Sequence, residues 1–236
     1  MEKIGGNEAR ILLVRHGESL GNLKRTFLGH MDLDLTEKGY AQGRRVCEYI
    51  CHRYEVDEIR ASDLARAWHT VEPLARQLGL PLQKDAALRE IGAGCWEGMR
   101  VDDIKTIYCE AHNVWSTRIG MSRPTGGESA AELRARISAA LHRIAWENLT
   151  LTHEKKDGRT VCIGTHAGAI RLFISEVRGL PLERAHEVPW APNASVTELI
   201  FDKNGTVREI EYGKDDYLRE LRGPSPSVDG LPSDRH

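Results

Sequence analysis

Two histidines, His16 and His166, each stand directly after a short apolar run. The first run, Ile11-Leu12-Leu13-Val14, closes on Arg15-His16-Gly17. The second is Thr160-Val161-Cys162-Ile163-Gly164-Thr165. An imidazole can attack phosphorus, a guanidinium can hold phosphoryl oxygens, and glycine lets the backbone come close. Arg-His-Gly alone is a weak signal, because short motifs recur by chance. Its echo at His166 strengthens it. Two further groups sit in comparable places: Arg66 shortly after a second apolar run, and Glu90 after a third extended segment. In open α/β sheets ligands bind beyond the carboxyl ends of the strands. Parallel strands would therefore bring His16 and His166, 150 positions apart, to one anion-handling corner.

The elements that must position these residues follow from periodicity. A strand over the first apolar run leads into a polar loop, Gly21 to Asp34. A helix capped by Thr36 follows, with Ala41, Val46, Tyr49 and Ile50 on its apolar face. Val56 to Ala61 reads as a second strand and Leu64 to Leu78 as a helix, stopped by Gly79 and Pro81. A short strand or extended segment then leads to Leu88-Arg89-Glu90. From Ile91 to Glu128 the pattern weakens, with a helix over Val101 to Ala111 and a turn at Pro124-Thr125-Gly126-Gly127. A helix from Ser129 to about Glu147, a buried strand Val161 to Thr165 and a helix Ala169 to Arg178 come next. Val196 to Phe201 and Val207 to Tyr212 flank Asp202-Lys203-Asn204-Gly205, a hairpin signal. Strands alternating with helices imply an α/β fold, a three-layer α/β/α sandwich with a mainly parallel sheet and an antiparallel edge. Residues 1–222 read as one domain, and 223–236, with three prolines and no core pattern, as a disordered tail.

The 236 residues are 40% hydrophobic and 29% charged, with a net charge of −2, which is the composition of a soluble globular protein. That balance argues against nucleic-acid binding through bulk electrostatics. The charged N-terminus and the short first apolar run give neither a signal peptide nor a membrane span, so the cytoplasm is the expected location. The five cysteines, Cys47, Cys51, Cys95, Cys109 and Cys162, are scattered and read as reduced. The ten histidines show no zinc-type spacing, so no metal and no other cofactor is expected.

Four ordered segments carry a resemblance. They are Leu13-Val14-Arg15-His16-Gly17-Glu18-Ser19 with Asn22; Ser62-Asp63-Leu64-Ala65-Arg66-Ala67 with Thr70; Leu88-Arg89-Glu90 with Gly94-Cys95-Trp96-Glu97-Gly98; and Gly164-Thr165-His166-Ala167-Gly168. Together they resemble the histidine phosphatase superfamily, which includes the phosphoglycerate mutases, over residues 10 to 212. The resemblance implies that His16 attacks the phosphoryl group to give a phosphohistidine. It implies that Arg15, Arg66 and His166 line the oxygens, with Asn22 as a further donor. Glu90 would protonate the leaving alcohol and then deprotonate the attacking water, which calls for a partly buried carboxyl. Glu97 and Trp96 read as loop-shaping, Gly127-Glu128-Ser129 as helix initiation, and the remaining histidines, His30 among them, as surface or packing.

The mutase branch follows its catalytic Glu with an Arg and, two residues on, a Tyr. Here those positions are Ile91 and Ala93, neither able to hydrogen-bond a carboxylate through its side chain. Leu28 stands where that branch has Thr. The favoured reading is therefore a metal-independent hydrolase of a small phosphate ester, a sugar phosphate or similar metabolite by default. The alternatives are a phosphoglycerate mutase or an inactive phosphate-site binding module. Tyr108, Trp115, Arg118 and Arg123 are candidate pocket walls, and the edge hairpin leaves room for a homodimer.

Overall fold

The computed structural model describes residues 3–151 and 157–221. The segment 223–236, read as a disordered tail, lies outside them. Strands β1 (Glu8–Arg15), β2 (Glu58–Ala61), β3 (Leu82–Lys84), β4 (Arg159–Thr165), β5 (Val196–Asp202) and β6 (Val207–Lys214) form one sheet in the order β3-β2-β4-β1-β5-β6. The first four are parallel; β5 runs antiparallel to β1, and β6 antiparallel to β5. The mainly parallel sheet with an antiparallel edge is as the strand pattern implied.

The helices are α1 (Leu20–Lys24), α2 (Glu37–Arg53), α3 (Ala65–Leu78), α4 (Val101–Ile107), α5 (Cys109–Thr117), α6 (Ala130–Leu151) and α7 (Ala167–Val177). Central strands of a parallel sheet are covered on both faces and so read as unbroken apolar runs. In β1, Ile11 and Leu13 join one core with Leu133, Ile137 and Leu141 of α6 and Ile170 and Phe173 of α7. Leu12 and Val14 join the other, with Val46 and Ile50 of α2 and Val71 and Leu74 of α3. Three layers follow from that alternation.

Local rules account for several element ends. Thr36 caps α2, its hydroxyl accepting from Gly39 N, and Gly79 ends α3 in the left-handed region at φ 65°. Ser129 starts α6 through a reciprocal cap with Glu132. Three readings need correction. The loop from Gly21 contains α1, begun by Ser19, whose cap is closed by Asn22. The helix expected over 101–111 is two helices, broken at Tyr108. The helix after His166 starts at Ala167 rather than Ala169, so the histidine itself is the N-cap. The five cysteines are all free.

Arg25 ends α1 with φ 53°, in the left-handed region that disfavours side chains. Two backbone hydrogen bonds hold it there: Arg25 N donates to Asn22 O, and Arg25 O accepts from Val101 N. Its ion pair with Asp102 is long, 3.8 Å, with both groups exposed, and such pairs contribute little. Arg25→Gly should therefore raise the unfolding free energy by about 0.5–1 kcal/mol in urea melts, strain relief outweighing glycine's entropy. Unchanged or reduced stability would contradict the strain.

Candidate active site

The register of β1 with β4 sets the site. Arg15 lies opposite Thr165, so the next residues, His16 and His166, leave the sheet side by side. Their ring centroids are 5.3 Å apart. His16 N donates to Thr165 O at 2.9 Å, extending the ladder by one step. Gly17 is required just beyond: a Cβ there would lie 2.7 Å from Gly39 O at the start of α2. Thr70 on α3 secures this corner, its hydroxyl accepting from Gly17 N at 2.9 Å and donating to Arg66 O at 2.7 Å.

His16 Nδ1 lies 2.7 Å from Gly17 O. A carbonyl only accepts, so Nδ1 carries the proton and Nε2 keeps its lone pair. Burial, then the cations of Arg66 and Arg15, hold the His16 imidazole well below its usual pKa. His166 is lowered likewise, by burial and then by Arg66. It is fully buried, and neither ring nitrogen has a hydrogen-bond partner among the described residues. Buried polar atoms normally find partners, so His166 is prepared for a group that brings its own.

Arg66, 1% exposed, sits in the first turn of α3. Its two amino groups donate to Met31 O at 2.9 Å and Gly29 O at 2.8 Å. Burial lowers its pKa to about 10, against the pull of Glu90, Asp32 and Glu97, so it remains a cation at neutral pH. Arg15 is also buried, with Nη1 donating to Ala191 O at 2.6 Å. Asn22 lines the same pocket, but its Oδ1 serves Ser19 and Asn193. Its amide Nδ2 is the branch that can donate.

Glu90 is half-buried and lines the pocket with Arg15, His16 and Arg66. Its carboxylate accepts from Ile91 N at 2.9 Å and from Gly168 N, in the first turn of α7, at 3.0 Å. Gly168 makes room for it: a Cβ would lie 2.3 Å from Glu90 Oε1. Arg15, His16, Asn22, Arg66 and Glu90 therefore line one pocket, and His166 stands beside His16.

The supports of the site carry no signal in the sequence. Arg136 on α6 donates to the carbonyls of Ala87, Arg89 and Glu90 and makes a two-point pair with Glu128 at 2.9 and 2.8 Å. Glu128, read as part of a helix start, also accepts from Gly92 N. His30, assigned to surface or packing, instead donates from Nε2 to Glu90 O at 2.9 Å. Asn193 ties together His16 O, Gly17 O and Asn22 Oδ1. Glu97 shapes the loop as read, accepting from His30 N and Ala93 N. Of the four candidate walls only Trp115 lines the pocket; Tyr108, Arg118 and Arg123 do not. Arg123 is instead tied to Gly127 O and Glu132. Among the described residues no cluster of three or more His, Cys, Asp or Glu is placed to hold a metal ion, and no helix is long and apolar enough to cross a membrane.

Residues 11–212 match the model of the histidine phosphatase superfamily, branch 1. The chain belongs to that superfamily. Its relatives carry both mutase and phosphatase names. Phosphoglycerate mutase-like protein 4 of Arabidopsis thaliana is 33% identical over 172 residues, 72% of this chain and 71% of that one. The 2,3-bisphosphoglycerate-dependent phosphoglycerate mutase 2 of Gloeobacter violaceus is 29% identical over 224 residues, 93% of this chain and 98% of that one. A solved structure of mycobacterial glucosyl-3-phosphoglycerate phosphatase with VO3 is similar at a TM-score of 0.76 and 26% identity, covering 87% of this chain and 99% of that one. As a histidine phosphatase superfamily member, the chain is an enzyme of the phosphatase or mutase kind.

The two lowered histidines make stability fall in acid. Above pH about 6.5 both are neutral folded or unfolded, and their contribution is fully present. Below it the unfolded chain takes up protons that the folded site refuses, so stability is lost until the folded-state values are reached. In phosphate-free buffer, His166→Asn should make the decline between pH 6.5 and 5 shallower by about 1 kcal/mol per pH unit. An unchanged slope in urea melts would show that His166 is protonated in the folded protein.

Proposed function

We propose that this protein is a metal-independent phosphomonoester hydrolase working through a phosphohistidine at His16. The observation that carries the reading is the meeting of His16 with Arg15, Arg66 and Glu90 around one pocket, with the buried His166 ring 5.3 Å behind that of His16. Nε2 of neutral His16 attacks phosphorus as the ester P–O bond breaks, and Glu90 delivers its proton to the departing alcohol oxygen. Water then attacks the phosphohistidine. Glu90 takes a proton from that water, the N–P bond breaks, and inorganic phosphate leaves with His16 restored.

Arg15 and Arg66 neutralise the transferring group. Each guanidinium contributes on the order of 4 kcal/mol at about 4 Å and an effective dielectric near 20, before desolvation. His166 donates a ring N–H and Asn22 its amide to the remaining oxygens, donors fixed before the reaction begins. Two cations and preplaced donors are enough to hold a dianion, which supports a mechanism with no metal.

Hydrolysis is favoured over transfer to a second hydroxyl by the pocket beyond the phosphate. Leu28 and Ile91 line it, both buried, and neither side chain can grip a glycerate carboxylate. The mutase reading is kept alive by the similarity to the Gloeobacter violaceus mutase over 93% of the chain.

A panel of phosphate esters, with and without 2,3-bisphosphoglycerate, separates the two. Phosphate release that persists in EDTA, and falls by roughly 10⁴-fold in His16→Ala, supports the hydrolase. Interconversion of phosphoglycerates faster than hydrolysis would overturn it. Glu90→Gln should slow esters of poor leaving groups by about 10²–10⁴-fold. With activated esters, whose leaving groups need no proton, it should accumulate acid-quenched phosphohistidine. Unchanged steady-state turnover of an unactivated ester would contradict the role given to Glu90.

A further inference from the structure

The pocket that holds Arg15, His16, Arg66 and Glu90 also has an apolar wall of Phe27, Leu28, Ile91, Val101, Trp115 and Trp190, with Ser19, Asn22, Arg25 and Thr26 as its other polar lining. That wall is rigid. Trp115 is 6% exposed and meets the edge of Phe27 at 5.1 Å and that of Trp96 at 6.3 Å. Trp190 lies 6.1 Å from Trp115, and the Arg171 guanidinium stands 4.4 Å from the centre of the Trp190 ring. Arg171 is itself fixed by donating to Ala185 O and His186 O. Arg25 also lines the pocket, in a long, exposed pair with Asp102 at 3.8 Å.

A hydroxyl-rich leaving group pressed against this wall would lose water and gain no acceptor from Phe27, Leu28, Ile91 or Val101, which is unfavourable. A flat hydrocarbon would lose nothing of that kind, and it would stack on rings already held in place. We propose that the alcohol released from the substrate carries a flat apolar group that lies against Trp115 and Trp190. The inference rests on the phosphomonoesterase reading and narrows it from small phosphate esters in general to amphipathic ones, a phosphate at one end and a ring at the other.

The test compares 2-phenylethyl phosphate with ethyl phosphate, whose alcohols are of similar acidity, so that the ratio of kcat/KM reports the wall and not the leaving group. The phenylethyl ester should be favoured by roughly tenfold or more. Trp190→Ala and Trp115→Leu should each bring the ratio towards one. Trp190 is the less buried of the two, so its variant keeps the test open if the core substitution fails to fold. In parallel, calorimetry on His16→Ala compares 2-phenylethylphosphonate with ethylphosphonate, which requires no turnover and should show the same preference in Kd. Equal affinities together with equal kcat/KM, or a preference for glucose 6-phosphate over the phenylethyl ester, would overturn the proposal and leave the hydrolase reading standing. Preferential binding of the phenylethylphosphonate without turnover of any ester would support the apolar site and sink the hydrolase reading instead.

Discussion

The parallel pairing of β1 with β4 is the constraint on which the site depends. With Arg15 opposite Thr165, both chains run out of sheet at the same level and must place the next side chain at the same end. A slip of one residue would turn every side chain of β1 to the other face. It would bury Arg15 and His16 in the wrong layer and separate the imidazoles. The two apolar cores enforce the register, because Ile11 and Leu13 fit only against α6 and α7, and Leu12 and Val14 only against α2 and α3. Catalytic geometry is thus specified by hydrophobic alternation along a strand that itself touches no substrate.

That geometry places positive charge where solvent cannot screen it. Arg15 and Arg66 are almost wholly buried, and the amino groups of Arg66 are met by carbonyl oxygens. Dipoles of this kind orient a guanidinium without cancelling its charge. The neighbouring imidazoles respond by giving up their protons, burial and the two arginines acting in the same direction on His16. One arrangement therefore does two jobs: it attracts an anion and keeps the nucleophile's lone pair available. Glu90 faces the pocket from the side of α7, held by backbone amides and braced from behind by Arg136 and His30.

Residues whose chemistry and position are encoded locally could be read from the sequence. His16 and His166 follow apolar runs, Thr36 precedes a periodic face, and Asp202 to Gly205 forms a tight turn between β5 and β6. The supports could not be read that way. Arg136 lies 46 residues from Glu90 and looks like a solvated helix cation until the fold lays α6 along the Glu90 loop. Asn193 lies 177 residues from His16 in a short connection with no periodicity. His30 and Glu128 each hold the Glu90 loop through its backbone, and such bonds leave no pattern in side-chain types. The same holds for the pocket wall. Trp115 and Trp190 come from different segments, and only their meeting at 6.1 Å makes a surface.

Nucleophilic attack at this site turns on the protonation state of one ring, that of His16. Long-range proton–nitrogen correlation spectra of the histidine side chains, with His16 assigned by comparison with His16→Gln, measure it directly. The structure predicts a neutral His16 at pH 7 with the proton on Nδ1, bonded to Gly17 O, and an unprotonated Nε2. An imidazolium at pH 7, or a neutral ring with its proton on Nε2, would contradict it.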